Sequence, residues 1–193
     1  MRKSLLAACM FAALSVAGAA DAADYISTRT VGDATAALSI TTDDTLGVLT
    51  KDNILDWTVT LTRGALTETL FGPDSGDNSR IELRGTALTA TATQLLFDFG
   101  AAANSYLLFQ SSDLANRSLY CVQTTNCFDQ SPAEFISFGP LFNNFTRKSQ
   151  SGIEVIAATA AVPEPETWLT MLTGFALTGA AMRRKKVQAA VIA

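Results

Sequence analysis

Histidine is absent from all 193 residues. Its absence removes Ser-His-Asp and Cys-His nucleophile activation, imidazole metal sites and imidazole proton shuttles together. The chemistry that remains is that of carboxylates. A glycosidase or lyase needs two of them about 5–10 Å apart. Glu82 in Ile81-Glu82-Leu83 and Asp98 between Phe97 and Phe99 are the candidates, and each sits at an alternating position of a strand-like run. The simplest role for such a residue is the solvent-facing side of a half-buried strand.

Cysteine is scarce as well. Of three, Cys9 falls in the N-terminal leader, which leaves Cys121 and Cys127 with five residues between them. An even pair in an exported chain predicts a short-loop disulfide. A redox or metal pair is the alternative, but structural zinc takes about four ligands. No metal ion or cofactor is expected. Only 17% of residues are charged, and the charge is uneven. Residues 24–162 hold eight Lys/Arg against fifteen Asp/Glu, net −7, against −4 for the whole chain. An acidic surface disfavours nucleic acid and anionic membranes as partners.

Long apolar runs are missing too, and the two that approach one lie near the ends. Arg2 and Lys3 precede an apolar core from Leu5 to Gly18, then Ala17-Gly18-Ala19 and Ala20-Asp21-Ala22 both fit a small-residue cleavage site. These are the three parts of a secretory signal peptide, read as residues 1–22. At the other end, fifteen residues from Trp168 to Met182 lead to Arg183-Arg184-Lys185-Lys186. As a helix they would span about 22 Å, short against a hydrocarbon core of about 30 Å. Trp168 suits the interfacial belt, and the basic block orients the terminus, with residues 187–193, to the cytoplasm. The leader then places the intervening domain on the opposite side of the same membrane. Gly174 and Gly179 miss the GxxxG spacing by one, so a small-residue helix face is present without that dimerisation motif.

Ahead of this helix stands Val162-Pro163-Glu164-Pro165. Two prolines fix φ and withhold backbone donors, so the tripeptide is extended and cannot join the helix. The ordered set Pro163, Glu164, Pro165, Trp168, Gly174, Gly179, Arg183, Arg184, Lys185 and Lys186 resembles the PEP-CTERM sorting domain of Gram-negative bacteria. The resemblance covers residues 161–186, with a transmembrane helix at 168–182 and a basic stop at 183–186. It implies an exosortase-type processing enzyme as partner, removal of the tail, and a role linked to exopolysaccharide and biofilm matrix. The extension 187–193 departs from the family pattern. The run Ser39–Leu49, continued by Asn53–Leu61, is similar to the N-terminal part of uncharacterised proteins carrying such tails.

Between the ends, residues 23–160 are one domain's worth of chain. Strand patterning predicts elements at Ala34–Thr42, Ile54–Thr62, Leu66–Phe71, Arg80–Arg84, Ala87–Thr93, Gln94–Phe99, Tyr106–Ser111, Ser118–Gln123 and Gly152–Thr159, with a first strand opening at Asp24-Tyr25-Ile26. Period two places Trp57, Val59 and Leu61 on one face. Threonine richness and spacing near ten residues predict an all-β, antiparallel β-sandwich or jelly-roll-like domain. Thr50-Lys51-Asp52-Asn53 is read as a single capped turn.

In the loop Gly72–Asn78, Asp74, Asp77 and Asn78 are weak calcium candidates, because hard oxygen ligands are present but the twelve-residue loop and bidentate glutamate are not. An ordinary turn is the simpler reading. Phe135, Phe138, Phe142 and Phe145 could stack on sugar rings, but their spacing fits neither a strand face nor a helix face, and packing under a loop is expected. The leading functional expectation is an exported, non-catalytic cell-surface or matrix domain. A carbohydrate-binding module is the alternative, and a polysaccharide-active enzyme with paired carboxylates the third.

Overall fold

The computed structural model describes residues 22–113, 115, 117–139 and 144–160. The leader up to residue 21, Phe142, the Pro-Glu-Pro motif, the helix 168–182, the basic stop and the terminal extension lie outside the described residues. Among those described, no helix is long and apolar enough to cross a membrane.

The described residues form thirteen strands and one short 3-10 turn. The chain runs through β1 (Ala23–Val31), β2 (Ala34–Thr42), β3 (Gly47–Val48), the turn Lys51–Asn53, β4 (Ile54–Arg63) and β5 (Leu66–Phe71). It continues with β6 (Ser79–Arg84), β7 (Leu88–Ala90), β8 (Gln94–Asp98), β9 (Tyr106–Ser111) and β10 (Leu119–Gln123). The last strands are β11 (Ala133–Phe138), β12 (Asn144–Ser149) and β13 (Ile153–Thr159). They form two antiparallel sheets, an eight-stranded one in the order β3-β7-β8-β13-β1-β2-β4-β5 and a five-stranded one in the order β12-β11-β10-β9-β6. The expected all-β sandwich is therefore what the chain forms.

Alternation explains the pairing. On β4, Trp57, Val59 and Leu61 are buried while Thr58, Thr60 and Thr62 are partly exposed. The inward set meets Phe109, Tyr120, Val122 and Ile136 from the smaller sheet in one core. Trp57 and Phe109 rings lie 5.9 Å apart, and Phe109 stacks on Tyr120 at 6.5 Å, geometries in which aromatic pairs add to simple burial. The outward set lines up across strands as Thr30–Thr35–Thr62–Thr67. Threonine suits such positions because its branched Cβ fits a pleated, half-solvated surface. A one-residue slip would carry the whole inward set to solvent, which fixes the register.

The turn before β4 is also as expected. The Asn53 side-chain oxygen accepts from the Thr50 amide at 2.7 Å and the Thr50 hydroxyl at 2.8 Å. The Asn53 amide nitrogen donates to Asp43 at 3.0 Å, tying the turn to the end of β2.

Three strands lie outside the runs that the sequence pattern marks: the two-residue β3, and β11 and β12. Every residue of β11 is buried, because its second face is covered by a small outer cluster rather than by water. Phe135 belongs to that outer cluster and Phe138 to the main core. The odd spacing of the phenylalanines thus reflects opposite faces of one strand. Phe138, only 7% exposed, is a core residue and offers no platform for a sugar.

Candidate functional site

Three places combine polar and apolar groups in a way that could carry function. The first lies between the sheets. Arg29 of β1 forms an ion pair with Glu134 of β11, and Glu134 is fully buried. Gln150 donates to the same carboxylate at 2.8 Å, and the Tyr120 hydroxyl sits 3.5 Å from it. Arg29 also donates to the Val155 carbonyl at 2.7 Å. Burial pushes the Tyr120 hydroxyl well above its usual 10, and the neighbouring Glu134 charge adds to the rise. Every group in this cluster has a partner. Its physical role is to pin one sheet to the other.

The second place is the outer face of the smaller sheet. The sulfurs of Cys121 and Cys127 stand 2.02 Å apart, at disulfide distance. The bridge folds the β10–β11 loop back over the sheet, so that Phe128 stacks on Phe135 at 4.9 Å and meets Phe145 at 5.1 Å. The Arg147 guanidinium sits 5.7 Å from the centre of the Phe135 ring and pairs with Asp129 at 3.2 Å. Phe135 thus packs under a loop, as expected, while Phe145 keeps 47% of its surface exposed. Toward the β6 edge of the same face, Tyr106 donates to Glu82 at 2.8 Å, and Arg84 pairs with Glu82 at 2.8 Å.

The third place is a depression of about 340 Å³. It lies beside β6, an edge strand of the smaller sheet. Its walls come from Ile54, Leu55 and Trp57 of β4, Pro73 of the β5–β6 loop and Ile81 of β6. Lys51, Asp52, Asp77 and Arg80 stand around them. Trp57 is fixed in place, because its Nε1 donates to the Ser79 hydroxyl at 2.8 Å and that hydroxyl donates to the Phe71 carbonyl at 2.6 Å. Leu55 remains 42% exposed. Asp77 holds φ at 50°, a left-handed conformation costly for a residue with a Cβ.

Of the calcium candidates, Asp77 lines this depression, and Asp74 and Asn78 belong to the same loop. The Asn78 side-chain oxygen accepts from the Phe71 amide at 2.7 Å, and its nitrogen donates to the Thr69 carbonyl at 2.9 Å. The Asp74 and Asp77 amides close the turn on Asp56 and the Gly72 carbonyl. Among the described residues, no three Cys, Asp or Glu side chains gather as a metal-binding group. The two carboxylates singled out for catalysis are not brought together either. Glu82 lies on β6 and Asp98 on β8, in different sheets, and Asp98 caps the Gly100 amide at 2.8 Å.

No protein-family model, curated protein or solved structure matches this chain.

Sequence reasoning missed the Arg29–Glu134 pair and the depression. Both join residues far apart in the chain, 105 positions in the first case, and no local pattern marks them.

Proposed function

We propose that this chain is an exported, non-catalytic β domain that acts at the cell surface or in the extracellular matrix and is sorted by its C-terminal tail. The observation that carries the reading is the ordered tail itself: Pro163-Glu164-Pro165, then Trp168, Gly174 and Gly179, then Arg183–Lys186. An extended acidic tripeptide beside a short membrane helix is a recognition element for a membrane-embedded processing enzyme of the exosortase type. The leader delivers the domain across the inner membrane, and the helix holds it there, C-terminus inside, until the tail is removed.

Two features of the domain favour this reading. The Cys121–Cys127 bridge suits an oxidising compartment. The two ends of the sandwich also leave it side by side: β1 begins at Ala23, β13 ends at Thr159, and Tyr25 pairs with Thr159 across them. The leader and the tail are thereby attached at neighbouring strand ends. An exopolysaccharide matrix is the proposed surrounding.

The test replaces Pro163, Glu164 and Pro165 with alanine in the native host. The altered protein should accumulate in the inner membrane at full length. Surface delivery equal to that of the unaltered chain would contradict the reading.

A further inference from the structure

We infer that the Trp57 depression is a binding site for a neutral saccharide. The inference stands on the depression alone and is independent of the sorting tail. Volume comes first. At about 340 Å³ the space lies at the small end of the range in which ligand pockets are found. It is the size of one or two pyranose rings rather than of a folded partner.

Chemistry narrows the choice. A pyranose has a C–H face that packs on apolar surface and a rim of hydroxyls, each of which both donates and accepts. The depression offers the matching halves. Leu55 and Pro73 supply apolar surface beside Trp57. Lys51 and Arg80 are donors, and Asp52 and Asp77 are acceptors. Two cations and two carboxylates cancel, so the rim provides hydrogen-bonding groups of both kinds without a net field. A uronate or phosphate would meet two carboxylates for its two cations and gain little. An uncharged sugar loses nothing by that balance.

Preorganisation is also present. The Trp57–Ser79–Phe71 hydrogen-bond chain locks the indole, and the Asp43–Asn53–Thr50 bonds hold the turn that carries Lys51 and Asp52. A site whose walls are already fixed does not spend binding energy on ordering them.

The experiment uses the full chain carrying Trp168→Phe, which leaves Trp57 as its single tryptophan. Cellotriose, maltotriose and laminaritriose are titrated against Trp57 fluorescence and by calorimetry, with trigalacturonate as the charged probe. At least one neutral trisaccharide should bind saturably in the millimolar range or tighter, and trigalacturonate should bind at least tenfold more weakly. Leu55→Arg, at an exposed position, should leave the circular dichroism spectrum unchanged and weaken the neutral sugar at least tenfold. Absence of saturable binding for all three neutral sugars by both methods would overturn the inference. So would equal binding in a folded Leu55→Arg variant, or preference for the uronate.

Discussion

Arg29 and Glu134, 105 positions apart in sequence, meet as an ion pair between the two sheets, with the carboxylate wholly out of water. A buried charge is costly alone and tolerable only when its lone pairs are matched. Here Arg29, Gln150 and Tyr120 match them. Removing one partner strands the other, so Glu134→Met or Arg29→Met should each lower stability by about 3–5 kcal/mol. The double variant Arg29→Met/Glu134→Met should cost less than the sum of the two. Urea unfolding of the four proteins as a double-mutant cycle checks this, and additive losses would argue against coupling.

The outer cluster of the small sheet depends on a different device. The Cys121–Cys127 bridge closes a short loop and holds Phe128 over Phe135. Replacing both cysteines with serine should cost on the order of 2 kcal/mol, since short loops gain least from closure. Hydrogen exchange in residues 123–131 should rise, while exchange in β2 and β4 should not.

Acid should act through Glu82. The Tyr106 hydrogen bond, assisted by Arg84 and the nearby Arg80 charge, holds this carboxyl below its ordinary 4.5, against a smaller opposing effect of burial. A depressed folded-state value means stability that is present above the unfolded value and lost as pH falls through the folded one. Wild-type stability should therefore drop below pH 4.5, and Glu82→Gln should remove part of that drop. Tyr106→Phe should raise the Glu82 titration midpoint measured by carboxyl NMR.

Gly72 marks how closely the β5–β6 loop approaches β4. A Cβ there would lie 2.7 Å from the Trp57 backbone nitrogen and 2.9 Å from its indole Cδ2. Since the nearer of these is backbone, the clash cannot be relieved by a rotamer change. Gly72→Ala should destabilise by roughly 1–3 kcal/mol and shift Trp57 emission, both measurable in one denaturant titration.

Much of the sandwich was legible along the chain because one face of β2, β4 and β5 is wet. Where that condition failed, so did the reading. β11 is buried on both faces, so its alternation vanishes. β12, Asn-Phe-Thr-Arg-Lys-Ser at a sheet edge, carries no apolar period to detect. The capped turn at Thr50–Asn53 and the cysteine pair were readable because each is local. The depression was not. Only the meeting of β4, β6 and two loops creates it, and Trp57 read merely as the inward face of a strand. The candidate catalytic carboxylates illustrate the converse, since similar local patterns at Glu82 and Asp98 end on different sheets.

Intact-mass analysis of the protein taken from the surface of its native host reads the fate of the tail. The mature species should begin at Ala23 or Asp24 and end between Pro163 and Thr167, with the apolar segment 168–182 gone. A surface species that still carries Arg183–Ala193 would contradict it.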